Sequence, residues 1–181
     1  MSDIEKLTKL VLAPYIIKAT ALIGVQRKIG GNQFRHAFST LGILLDYKLF
    51  ADSVLLKASV IHDLIEDVPT TDIASLRCID QEAWKVVDLV LEVTRDPGEE
   101  KSTFLKRILD YGTRNAKILK TADRISNLTD LHLGFFSDQK MCQYLDETEQ
   151  FVLPMALEVN MDMVIELLDL IAKRRILITK N

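Results

Sequence analysis

Apolar residues recur at three- and four-residue intervals along almost the whole chain, and no segment sustains the two-residue alternation of a half-buried strand. Leu7, Leu10, Val11, Tyr15, Ile16, Ala19, Leu22 and Ile23 predict a core-packing helix over 7–25, with Pro14 marking a kink or a break between two helices. Gln26-Arg27-Lys28 ends that segment, and Gly30-Gly31-Asn32 makes a turn. Phe34, Phe38, Leu41, Leu44 and Leu45 form one stripe of a helix over 34–47, with His36 at the edge of the stripe. The apolar run Phe50, Ala51, Val54, Leu55, Leu56, Ala58, Val60 and Ile61 is expected to continue as helix through His62-Asp63-Leu64-Ile65-Glu66-Asp67, until Pro69 forbids it.

Beyond a loop at 68–72 and a short turn or helix at 73–76, Asp80 is the expected N-cap of a helix over 81–94. Trp84, Val87, Val90, Leu91 and Val93 supply its buried side. A loop at 96–100 precedes a helix capped by Ser102 or Thr103 that runs to Tyr111 and ends at Gly112. Helices over 115–133, 138–157 (Pro154 near its end) and 161–175 complete the pattern. The expected fold is all-α: a single domain over 1–181, built as a bundle of about eight to ten helices without internal repeats.

A continuous helix would stack His62 over Glu66 and Asp63 over Asp67. Three carboxylates would then crowd a helix C-terminus, where the macrodipole disfavours negative charge. Two readings stay open from these residues: a solvated acidic helix end with an incidental histidine, or a site compensated by a divalent metal. Adjacent imidazole and carboxylate suit Mn, Fe or Zn. The chain has three histidines. Of these, His36 and His62 together with Asp63 and Asp123 would offer four ligands and leave room for water; His132 has no partner pattern. On the helix over 115–133, Lys120, Asp123 and Asn127 fall at i, i+3 and i+7, beside Arg124.

Composition narrows the field. With 181 residues, 48% hydrophobic and 27% charged, the chain is of ordinary globular make-up and long enough for one sizeable core. A net charge of −3 argues against nucleic acid as a partner, while leaving a small phosphate ester held by a few local cations. Two well-separated cysteines, Cys78 and Cys142, read as reduced thiols of a cytosolic protein. The acidic start Met-Ser-Asp-Ile-Glu is unlike a signal peptide, and the early apolar run is too short to span a bilayer. A cytoplasmic protein without a membrane partner is expected.

Three blocks in register resemble the HD metal-dependent phosphohydrolase superfamily, and within it the hydrolase domain of RelA/SpoT homologues and the stand-alone small alarmone hydrolases. Arg27-Lys28-Ile29-Gly30 followed by His36 is similar to the family's Arg-Lys-x-Gly loop and first histidine. His62-Asp63-Leu64-Ile65-Glu66-Asp67 is similar to its His-Asp-x-x-Glu-Asp box. Lys120-Thr121-Ala122-Asp123-Arg124-Ile125-Ser126-Asn127 is similar to its Lys-x-Ala-Asp-Arg-x-x-Asn block. Leu91-Glu92-Val93-Thr94, and Tyr144 with Glu147-Thr148, are weaker echoes.

The resemblance implies an Mn²⁺ ion on His36, His62, Asp63 and Asp123, with Glu66 and Asp67 orienting or deprotonating the attacking water. Arg27 and Lys28 would neutralise phosphate, Asn127 would hold the ribose or a phosphate, and Lys120 and Tyr144 would support the substrate. The implied substrate is a guanosine nucleotide, guanosine 3′,5′-bis(diphosphate) or its pentaphosphate relative, cleaved at the 3′ ester to release pyrophosphate. The alternative is another nucleotide or phosphate ester. A hydrolase without a synthetase or regulatory domain is expected. Two departures from the family pattern border the expected nucleotide pocket. Gln33-Phe34-Arg35-His36-Ala37 stands where the family has Pro-Tyr before the histidine and Pro after it, and Ile29 occupies a position commonly small or polar.

Overall fold

A computed structural model of the chain describes residues 2–134 and 136–179. Among the described residues ten helices of seven residues or more account for the fold, and there is no strand, only an isolated antiparallel bridge between Gln26 and Asn32. The expectation of an all-α protein with eight to ten helices holds. No helix among the described residues is long and apolar enough to cross a membrane. The chain separates into two compact units, one of residues 1–26 and 32–95, the other of residues 27–31 and 96–181.

The first unit carries α1 (Asp3–Lys9), α2 (Ala13–Ala19), α3 (Gln33–Asp46), α4 (Ser53–Ile61), α5 (Leu64–Asp67), α6 (Ile73–Arg77) and α7 (Ala83–Val93). Pro14 does break the first helical segment: it sits at the start of α2, where its missing N–H costs nothing. A 3₁₀ turn at Thr20–Gly24 then replaces the end of the expected helix. The Asn32 side chain accepts from Arg35 N at 2.9 Å and the Asp52 side chain from Leu55 N at 2.9 Å, which sets the starts of α3 and α4. Seven successive residues of α4, Leu55 to Ile61, are buried. A helix apolar on nearly every side is a core helix, and α4 packs on α2, α3 and α7.

Three expectations need correction here. The helix does not continue through His62–Asp67; it ends at Ile61, and α5 is a separate turn beginning at Leu64. Asp80 does not cap α7, which starts at Ala83. Its carboxylate instead accepts from Tyr15 Oη at 3.0 Å, Lys57 Nζ at 2.7 Å and the Glu82 backbone N–H at 2.9 Å. Trp84 lies 61% exposed, with the Arg77 guanidinium 4.1 Å from its ring centroid, so that cation stacking replaces core burial. Leu91 also lies on the exposed side, while Val87, Val90 and Val93 are buried as expected.

The second unit carries α8 (Lys101–Tyr111), α9 (Arg114–Asp130), α10 (Asp138–Glu147), α11 (Leu153–Val159) and α12 (Met161–Thr179). α8 starts after Glu100, so neither Ser102 nor Thr103 is its cap. Ala116, Ile118, Leu119, Ala122, Ile125 and Leu128 bury one broad face of α9, against which α11 and α12 pack. The expected single helix over 138–157 is divided by a π turn at Thr148–Val152 just before Pro154. Pro154 cannot donate to the preceding turn, and the wider turn absorbs the missing bond.

Lys57 lies on α4, almost fully buried, and its ammonium makes ion pairs of 2.7 Å to Asp80 and 2.7 Å to Glu82. The Ser53 hydroxyl donates to the same Glu82 carboxylate at 2.8 Å. Removing the cation leaves two carboxylates without their partner. Both are partly solvated, so Lys57→Ala should cost about 2 kcal/mol rather than the larger loss of a fully buried pair. Chemical denaturation checks this, and an unchanged midpoint would contradict it.

Candidate metal and phosphate site

The chemistry-bearing residues of the first unit gather where α4 gives way to α5. His62 follows the last residue of α4, and its Nδ1–H donates to the Ser59 carbonyl at 2.8 Å. That bond places the ring proton on Nδ1 and leaves the lone pair on Nε2. His36, one turn into α3 and also buried, sets its ring 5.2 Å from that of His62, edge to face. Asp63 reaches both imidazoles: Oδ1 lies 3.2 Å from His62 Nε2, and Oδ2 lies 3.6 Å from His36 Nε2. Neutral imidazole nitrogens next to a carboxylate, in a buried setting, are the donor types that a divalent transition metal takes.

Glu66 and Asp67 lie one turn further on, in different surroundings. Glu66 is exposed, within 3.7 Å of the Arg95 guanidinium. Asp67 is half-buried and accepts from Gln33 Nε2 at 2.7 Å. Burial pushes the Asp67 carboxyl above the usual carboxylate range, the nearby Asp63 and Glu66 charges add to that, and the Gln33 bond opposes it. The stacking of His62 over Glu66 was expected on one continuous helix; α4 instead ends at Ile61, while the Asp67 N–H still donates to the Asp63 carbonyl at 2.9 Å.

The second unit holds a hydrogen-bonded relay on α9. Arg27 Nη2 donates to Asn127 Oδ1 at 2.7 Å; Asn127 Nδ2 donates to Asp123 Oδ1 at 2.6 Å; and Lys120 Nζ donates to Asp123 Oδ2 at 2.7 Å. The i, i+3 and i+7 spacing on one helix face thus brings Lys120, Asp123 and Asn127 together as read from the sequence. Asp123 is buried, and its carboxylate is held by an amide on one oxygen and an ammonium on the other. Lys28 is exposed. Ile29 packs over Gly134: a Cβ there would lie 2.7 Å from Ile29 Cγ2 and 2.5 Å from Phe136 Cε2.

Tyr144 carries two cations over its ring, Arg124 at 4.0 Å and Lys101 at 4.5 Å from the centroid. Arg124 is fully buried and donates to Thr148 Oγ1 at 3.0 Å, so it ties α9 to the π turn. Lys101 pairs with Glu147 at 2.6 Å, and burial, with the Arg124 charge next in size, lowers its ammonium pKa. Sequence reading missed Lys101, which follows a loop and carries no motif; its partners Tyr144 and Glu147 were the only signal.

No family model matches the chain. The fold matches a solved structure described as that of a metazoan ortholog of SpoT that hydrolyses ppGpp, with a TM-score of 0.78 at 21% identity, covering 93% of this chain and 95% of that one. The chain shares its all-α architecture with that protein. It is also 30% identical over 130 residues to MESH1 of Homo sapiens, a guanosine-3′,5′-bis(diphosphate) 3′-pyrophosphohydrolase, across 68% of this chain and 70% of the human protein. The chain belongs to this HD-type family of alarmone hydrolases.

Asp67 yields a pH-dependent expectation. Its carboxyl keeps a proton to higher pH in the folded than in the unfolded state, so it favours folding in acid and costs stability once pH rises through its raised pKa. Asp67→Asn is neutral throughout. In chelator-treated protein it should raise Tm at pH 7.5 by about 2 °C and give no such gain in acid, where the native carboxyl is itself protonated. Thermal melts at the two pH values check this, and a lower Tm at pH 7.5 would contradict it.

Proposed function

We propose that the chain is a single hydrolase domain, active in the cytoplasm, that removes pyrophosphate from the 3′ position of guanosine 3′,5′-bis(diphosphate) with the help of one Mn²⁺ ion. The observation that carries the reading is the pair of buried imidazoles, His36 and His62, sharing the Asp63 carboxylate. Family membership supplies the substrate class. His36, His62 and Asp63 would hold the ion together with Asp123. The Ser59 carbonyl keeps His62 in the tautomer that a ligand needs. When bound, such an ion supplies Lewis acidity to a phosphoryl oxygen and makes water more acidic.

The remaining work falls to the chain's own groups. Asp67, raised in basicity by burial, takes a proton from the attacking water. Glu66, beside it and exposed, orients that water. Arg27 and Lys28 offset phosphate charge, and Arg27 is already steered by Asn127. Lys120, Asn127 and Tyr144 border the nucleotide. Two cysteines without a disulfide, Cys78 and Cys142, suit a reducing compartment.

The test is product analysis with guanosine 3′,5′-bis(diphosphate) beside a panel of other nucleotides, with Mn²⁺ and with chelator. The expected products are GDP and pyrophosphate, lost on chelation and in His62→Ala. Asp67→Ala should lower kcat by about a hundredfold or more while retaining nucleotide binding. Turnover only of other nucleotides would replace the substrate, and chelator-resistant turnover would overturn the metal reading.

A further inference from the structure

We infer that Gln33 is a positioning residue that aims the Asp67 carboxylate; the inference rests on the proposed role of Asp67 in handling the attacking water. Gln33 is the first residue of α3, and its backbone is fixed from both sides. Gln33 N donates to Val25 O at 2.9 Å, and the preceding Asn32 both bridges to Gln26 and caps the helix. From this anchored start the side chain crosses to α5 and donates through Nε2 to Asp67 Oδ2 at 2.7 Å.

The other end of the amide shows that this contact is expensive. Gln33 Oε1 is buried and has no hydrogen-bond partner among the described residues. A buried carbonyl left unsatisfied costs free energy that an apolar side chain would avoid. The single bond to Asp67 is therefore what the buried amide achieves. Asp67 belongs to a four-residue turn, too short to hold a side chain rigidly, and it faces the repulsion of Asp63 and Glu66. A donor from a long, capped helix fixes Oδ2 and leaves Oδ1 outside this bond. His36 lies three residues along the same helix, so α3 would set both an imidazole and the neighbouring carboxylate.

The experiment compares Gln33→Met, which keeps the length without a donor, and Gln33→Glu, which opposes Asp67 with a second carboxylate, against wild type and Asp67→Asn. Steady-state kinetics are run on whichever nucleotide the panel shows to be turned over, with Mn²⁺ content and Tm measured in parallel. Gln33→Met should lower kcat about tenfold with KM and Mn²⁺ content unchanged, and Gln33→Glu should lower it further. A kcat within twofold of wild type in both variants, or a rise in KM alone, overturns the inference. A large loss in Asp67→Asn beside a silent Gln33→Met defeats this inference only. A fully active Asp67→Asn defeats the reading of Asp67 on which it rests, and the inference with it.

Discussion

The hydrogen bond from His62 Nδ1 to the Ser59 carbonyl is the constraint on which the candidate site depends. It lies at the exit of a helix whose last seven residues are all buried, so the imidazole enters an environment in which every polar atom must be accounted for. By occupying Nδ1, the bond determines which nitrogen keeps a lone pair. It also coincides with the end of α4: the chain turns at His62 and Asp63 instead of running on as helix. That turn lets the Asp63 carboxylate reach back to both His62 and His36.

The two units solve the problem of buried charge in different ways. In the first, the Asp63 carboxylate lies 3.2 Å from His62 Nε2 and 3.6 Å from His36 Nε2, an arrangement suited to an added cation. In the second, Asp123 is already met by Lys120 and by Asn127, which is itself held by Arg27. Away from the candidate site, Lys57 with Asp80 and Glu82, and Arg124 with Tyr144 and Thr148, tie helices together through buried cations. These pairs follow one rule: a buried charge is tolerated where geometry supplies its partner.

Helical periodicity made α3 and α9 legible, because their buried faces repeat every three to four residues and the motif residues sit at fixed offsets on one helix. The relay of Lys120, Asp123 and Asn127 could be read for the same reason. What escaped rested on particular side-chain contacts. The break after Ile61 coincides with His62 Nδ1 bonding the Ser59 carbonyl, which spacing does not report. Trp84 was read as core by residue type, but the Arg77 guanidinium made an exposed position acceptable. Gln33 was visible only as a departure from a family pattern, since its bond to Asp67 joins residues 34 apart. Pro154 was noticed, yet the π turn that accommodates it has no sequence signature of its own.

His36, His62, Asp63 and Asp123 are proposed to serve one ion. The most direct measurement is Mn²⁺ binding by equilibrium dialysis, with wild type compared against Asp123→Ala and folding confirmed by circular dichroism. The account predicts one ion per chain in wild type and an affinity reduced by more than about tenfold in the variant. Equal affinity in the two proteins, or no Mn²⁺ binding in wild type, would contradict it.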